Sequence, residues 1–293
     1  DYDVSQGRGP NEIAHRVEGV VEIYEKFAGE DPRKTPMLVY PAVHYSMGGL
    51  WVDYDQMTNI PGLFAVGEVD YQYHGANRLG ANSLISCLYG GLVTGPKMVA
   101  YLESDSYKAG TKPSSTVFDR ERERVADEYD KLGKMDGAEN PYQIWWELGQ
   151  MMTTYVTVER HNKELKQVDD NIQKMMERWK SCSVLDTGKH ANQSIMFLRQ
   201  LWNMLCLARV ITVGALMRDE SRGSHFKPEF PDRNDEKYLK TTMASYDAKD
   251  NHGPKISYAD VDISLVKPVL RDYSGKKPAE APKAAGQATE KTA

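Results

Sequence analysis

Between residues 140 and 219 apolar side chains recur every three or four positions, and no other feature constrains the fold as much. Leu165, Val168, Ile172, Met175 and Trp179 step by 3, 4, 3 and 4. Ile195, Leu198, Trp202, Leu205 and Arg209 repeat that spacing, and Ile144, Leu148, Met151 and Tyr155 share a third face. Helices striped in this way must bury the stripe against partner helices. The spacing predicts an antiparallel helical bundle over about 117–219, with its methionines as packing residues. Asn140-Pro141 opens one of its helices, because proline at the first helical position loses no hydrogen bond.

The rest of the chain reads differently. Val17 to Phe27 has helical spacing, with Gly29 as its cap. Met37–Tyr45, Leu50–Tyr54 and Leu63–Val66 read as strands, the last ending in Gly67-Glu68. A glycine-rich turn, His74–Gly80, leads into a helix over Ser83–Leu102 that Gly95-Pro96 is expected to kink. Ser104–Thr116 has linker composition. Strands are expected at Lys255–Tyr258 and Val261–Val266. Ser274–Ala293 lacks Leu, Ile, Val, Met and aromatic residues, so a disordered tail is expected.

Composition narrows the function. The 293 residues carry 37 basic and 42 acidic side chains, a net charge of −5, which argues against nucleic acid as a partner. Three cysteines, Cys87, Cys182 and Cys206, form no CxxC pair, so neither a disulfide framework nor a metal site is expected. The most apolar stretch, Leu205–Met217, contains Arg209 and precedes Arg218, so no membrane-crossing helix is expected. Asp1–Pro10 has neither a charged leader nor an apolar run, and the sequence reads as starting inside a longer protein.

Chemistry concentrates in two segments. His44-Tyr45-Ser46-Met47-Gly48-Gly49 lies at a strand end. Gly67-Glu68 is followed by His74-Gly75-Ala76-Asn77-Arg78-Leu79-Gly80-Ala81-Asn82-Ser83-Leu84. Free N–H groups would open the helix after this loop, and its dipole favours an anion there. Arg78, always protonated, can make a two-pronged contact with a carboxylate or phosphate, and His44 can add a hydrogen bond. The residues thus predict an anion site between two loops. Taken singly, His44 and Arg78 are ordinary structural residues and Glu68 could cap a turn. His225, in the run Glu220–His225, reads as structural or interfacial.

The order His-Tyr-Ser-Met-Gly-Gly, Pro-Gly-Leu-Phe-Ala-Val-Gly-Glu and His-Gly-Ala-Asn-Arg-Leu-Gly-Ala-Asn-Ser-Leu resembles the flavoprotein subunits of succinate dehydrogenase and fumarate reductase. Arg218–His225 and Phe230–Asp235 look like the carboxyl-terminal region of that family, and Ile23–Phe27 and Trp51–Gln56 look like the form found in Gram-positive bacteria. The resemblance implies an α/β plus α chain: the end of a capping domain (1–33), the second lobe of a Rossmann-like FAD-binding domain (34–104), a helical bundle domain (117–219), a mixed carboxyl-terminal segment (220–273) and a tail (274–293). It implies that His44 and Arg78 bind a dicarboxylate, and that Glu68, Ser83 and Leu84 contact FAD. It also implies an iron–sulfur subunit, a membrane anchor reached through it, and a place at the cytoplasmic face of the cell membrane. The family's Gly-x-Gly-x-x-Gly fingerprint does not occur in the chain, and the resemblance puts the proton-transferring arginine upstream, leaving no catalytic residue here. Two other readings stand beside this one. The first is an L-aspartate oxidase-like flavoenzyme, against which Met47 and Leu79-Gly80 weigh. The second is a non-catalytic binding or assembly module.

Overall fold

The computed structural model describes residues 12, 15–39, 44–110, 113–188, 190–246 and 253–269. The expected tail lies outside these residues. Helix α1 (Glu18–Ala28) ends where predicted, with Gly29 at φ 73°. Long helix α2 (Asn82–Glu103) follows the glycine-rich turn, and short α3 (Asp105–Ala109) interrupts the expected linker. Four helices then form the bundle: α4 (Ser115–Leu132), α5 (Pro141–Met152), α6 (Asn162–Trp179) and α7 (Gln193–Leu216). A one-turn helix α8 (Asp235–Tyr238) precedes an antiparallel hairpin of β1 (Lys240–Tyr246) and β2 (Pro254–Asp260), which packs on α7.

The predicted stripes build the core. Ile144, Leu148, Leu165, Val168, Ile172, Met175, Leu198 and Leu205 are buried together, with Trp179, Ile195 and Trp202 packed around them. One expectation fails for a geometric reason. A π turn over Thr153–Thr157 adds a residue to the turn, so Val156 faces the core at 2% exposure and Tyr155 stays 44% exposed. Helix α7 is long and apolar enough to cross a membrane by length and composition, contrary to the sequence expectation. Here its Leu198, Leu201, Leu205 and Ala208 belong to the bundle core, and its Arg209, 7% exposed, is paired with Asp169 at 2.7 Å.

The strands expected early in the chain are corrected. Leu38 and Val39 are 91% and 83% exposed in non-regular backbone, and Tyr40–Val43 lie outside the described residues. Leu50–Val66 makes only isolated bridges: Leu50 with Asp70, Val52 with Thr58 and Met57 with Phe64. A short apolar run extends into a ladder only where a neighbouring backbone offers continuous donors and acceptors, and here each contact stops after one pair. Late in the chain, β2 covers the expected Lys255–Tyr258, Val261–Val266 is not a strand, and β1 was not anticipated. Helix α2 contains Pro96 and runs on to Glu103.

Asp169→Asn removes the carboxylate charge that faces the buried Arg209 guanidinium at 2.7 Å. Asp169→Asn should lower unfolding free energy by about 3 kcal/mol, read by urea denaturation against the unaltered chain.

Candidate dicarboxylate and flavin site

The two motif segments meet. The Ser46 N–H donates to Glu68 Oε1 at 2.8 Å, and the Arg78 N–H donates to Met47 Sδ at 2.8 Å. The Arg78 guanidinium stands 5.4 Å over the Tyr45 ring, which packs edge-on against His74 at 5.1 Å between centroids. His74 Nε2 lies 3.1 Å from Ser86 Oγ on the first turns of α2, so the loop is fastened to the helix it opens.

Close approach is built into the backbone. Gly67 has φ 81°, and a Cβ there would meet Cys87 Sγ at 3.3 Å. At Gly49 an added Cβ would fall 2.0 Å from the Val69 carbonyl oxygen, so no larger residue fits without moving the backbone. Gly48, Gly75 and Gly80 face open space instead. Ala81 adopts φ 63°, a left-handed conformation that costs about 1 kcal/mol or more for a residue with a Cβ. No side chain caps α2. The N–H groups of Ser83 and Leu84 therefore open the helix without intrahelical acceptors, at its positive end.

The predicted residues fall as follows. Arg78 is half-buried, spends one donor on the Leu79 carbonyl at 3.2 Å, and has no carboxylate partner among the described residues. His44 is exposed one residue before Tyr45 and makes no hydrogen bond among the described residues. Glu68 is exposed beside the buried Gly67 and joins the two segments through Ser46. Ser83 is half-buried, and Leu84 is 75% exposed. Open glycines, a free helix start, an exposed apolar side chain and an acidic acceptor suit a flat ring that gains negative charge on reduction and carries a hydroxyl-bearing chain, and the residues present fit FAD.

Tyr45 and Met47 support Arg78 from inside the His44–Gly49 motif, a role that their identity alone does not signal. A further contact comes from far along the chain, with no motif to announce it. Ser224 donates to the Ala76 carbonyl through its N–H at 3.0 Å and through Oγ at 3.1 Å. The turn bearing Ser224 is closed by paired backbone bonds between Arg222 and His225, of 2.8 and 3.0 Å. His225 is 9% exposed. Arg160 Nη1 donates to its Nδ1 at 2.6 Å, so the ring proton sits on Nε2, which donates to the Arg218 carbonyl at 2.9 Å.

The family description "FAD binding domain" matches residues 1–84, and "Fumarate reductase flavoprotein C-term" matches residues 146–273. The chain is 54% identical over 273 residues to the succinate dehydrogenase flavoprotein subunit of Bacillus subtilis, covering 93% of this chain and 46% of that protein. The chain belongs to the family of succinate dehydrogenase and fumarate reductase flavoprotein subunits. It is 34% identical to the fumarate reductase flavoprotein subunit of Haemophilus influenzae, covering 96% of this chain and 46% of the relative. Among solved structures, a mutant Escherichia coli quinol fumarate reductase superposes with a TM-score of 0.81 at 30% identity, covering 92% of this chain and 45% of that one. A Mycobacterium smegmatis Sdh1 complex in the apo form gives 0.73 at 28% identity, covering 85% and 41%. The chain thus spans about half the length of the curated relatives it matches.

The buried imidazole sets a pH dependence. Burial lowers the His225 pKa from 6.5 to about 4, the Arg218 carbonyl pulling the other way and the Arg160, Lys227 and Arg218 charges adding to the fall. The unfolded chain takes up this proton near pH 6.5, and the folded chain resists it. The contribution is complete above pH 6.5 and is lost as pH falls toward 4, by about 3 kcal/mol. Urea unfolding between pH 7 and pH 4 should show that loss in the unaltered chain and a correspondingly flatter profile in His225→Gln.

Proposed function

We propose that this chain supplies the dicarboxylate-binding side of a complex II flavoprotein subunit. Such a subunit oxidises succinate to fumarate, or runs the reverse, and passes electrons to an iron–sulfur subunit and on to quinone. The observation that carries the reading is Arg78: a half-buried guanidinium with no carboxylate partner among the described residues, held beside the His44 segment and the open start of α2. A cation desolvated in this way is stable when an anion completes the site.

Each residue has a task in this reading. Arg78 grips one carboxylate of the substrate with two parallel N–H donors and fixes its orientation. His44 adds a hydrogen bond from the exposed segment before Tyr45. Glu68 accepts hydrogen bonds from hydroxyl groups of FAD, and Leu84 packs against its ring. The Ser83 and Leu84 N–H groups stabilise negative charge developing near the helix start. When bound, FAD supplies the two-electron chemistry. In this reading no residue of this chain is assigned the proton transfer.

The division into the end of a capping domain, a second lobe of the FAD domain, a helical domain and a carboxyl-terminal segment is proposed with it. One face of α2 supports it: Leu84, Leu88 and Leu92 are 75%, 69% and 77% exposed, while Ser86, Gly90 and Thr94 are buried. An apolar stripe of this size is suited to packing against the remainder of a flavoprotein. Membrane association at the cytoplasmic face would come through the partner subunits.

The test uses the native gene product. Arg78→Lys keeps the charge but loses the planar fork, so kcat/KM for succinate-dependent dye reduction should fall about 100-fold or more, with flavin content retained. Unchanged kcat/KM would overturn the reading.

A further inference from the structure

We infer that the Arg222–His225 turn is a clamp that positions Arg78, with Gly223 and Ser224 as positioning residues acting through Ala76. The inference rests on the dicarboxylate reading of Arg78. Ala76 stands two residues before Arg78, and its single carbonyl oxygen receives both the N–H and the Oγ–H of Ser224. The approach is closer than any side chain at position 223 would allow. Gly223 has φ 60°, and a Cβ there would lie 2.3 Å from the Ala76 oxygen and 2.9 Å from the Ala76 Cβ. Turn and loop therefore meet backbone to backbone.

The far side of the turn is braced. The Arg222 guanidinium donates to both Glu220 oxygens, at 2.8 and 2.9 Å, and to Asp235 at 2.7 Å. The His225 ring is wedged between Arg160 and the Arg218 carbonyl. Arg160 itself is tied to the end of the π turn through the Val156 carbonyl at 2.7 Å, and its N–H donates to the Phe226 carbonyl at 3.0 Å. A braced carboxyl-terminal segment thus presses on a loop whose own holds on Arg78 are the Met47 thioether, the face of the Tyr45 ring and the Leu79 carbonyl. A loop with so few internal bonds needs an external stop to keep a guanidinium in one place.

The test compares the native gene product with Gly223→Ala, with Ser224→Ala, which removes one of the two bonds, and with Gly149→Ala, an open helical position, as control. Two readouts are taken: amide hydrogen exchange at Asn77–Leu79, and KM and kcat for succinate. The clamp predicts faster exchange at Asn77–Leu79 in both turn variants. It predicts a rise in KM of roughly tenfold in Gly223→Ala and roughly twofold in Ser224→Ala, with kcat changing far less and the control unchanged. Combined with Arg78→Lys, Gly223→Ala should add little further loss, because both act on one group. Unchanged exchange overturns the clamp. Faster exchange with unchanged KM overturns its role in positioning Arg78. An unaltered protein that neither binds nor turns over dicarboxylates overturns the functional reading and the positioning role with it, while exchange still decides whether the turn restrains the loop. If Gly223→Ala does not fold, Ser224→Ala decides the same points.

Discussion

The Glu220 carboxylate, fully buried, is the charge around which the carboxyl-terminal segment is arranged. It accepts from Arg218 Nε at 2.9 Å, from Arg222 Nε and Nη2, and from the Asn234 N–H at 2.9 Å. Burial alone would raise its pKa, but these donors hold it below the ordinary carboxylate range. Both arginines reach onward: Arg218 to the Tyr238 and Lys240 carbonyls and Thr242 Oγ1, and Arg222 to Asp235. One anion therefore sets the start of β1, the position of α8 and the turn that meets Ala76. Lys227, also fully buried, closes the neighbouring corner through Asn162, Asp219 and the Leu216 carbonyl.

The helical half was legible because its information is local and periodic. Leu165 to Trp179 need only a 3.6-residue turn to share a face, and they share one. Tyr155 departs from the stripe because a π turn changes the period over Thr153–Thr157, which holds no glycine or proline to announce it. The early strands misled because an apolar run states a preference for burial, not the existence of a partner strand. Leu38, Val39 and the outer stripe of α2 all show apolar character left exposed in this structure.

The site divides in the same way. His44, Glu68, Arg78, Ser83 and Leu84 stand in compact strings whose glycines and helix start advertise a loop for ligands, and the structure brings the strings together through Ser46–Glu68 and Met47–Arg78. Ser224 and Ala76 are 148 residues apart, and neither side chain is distinctive. Only the folded chain brings the Ala76 oxygen to 2.3 Å from where a Cβ at Gly223 would stand. Recognition chemistry is written in side-chain identity; the support of that chemistry lies in long-range backbone contacts that leave little trace in sequence.

The central claim is that Arg78 receives a dicarboxylate. The most direct measurement is a crystal structure of the native gene product with malonate, a non-reacting dicarboxylate. The account predicts one carboxylate within hydrogen-bond distance of two Arg78 guanidinium nitrogens, with His44 on the same ligand and the start of α2 facing it. Malonate bound away from Arg78, or an Arg78 guanidinium turned onto a protein carboxylate, would contradict it.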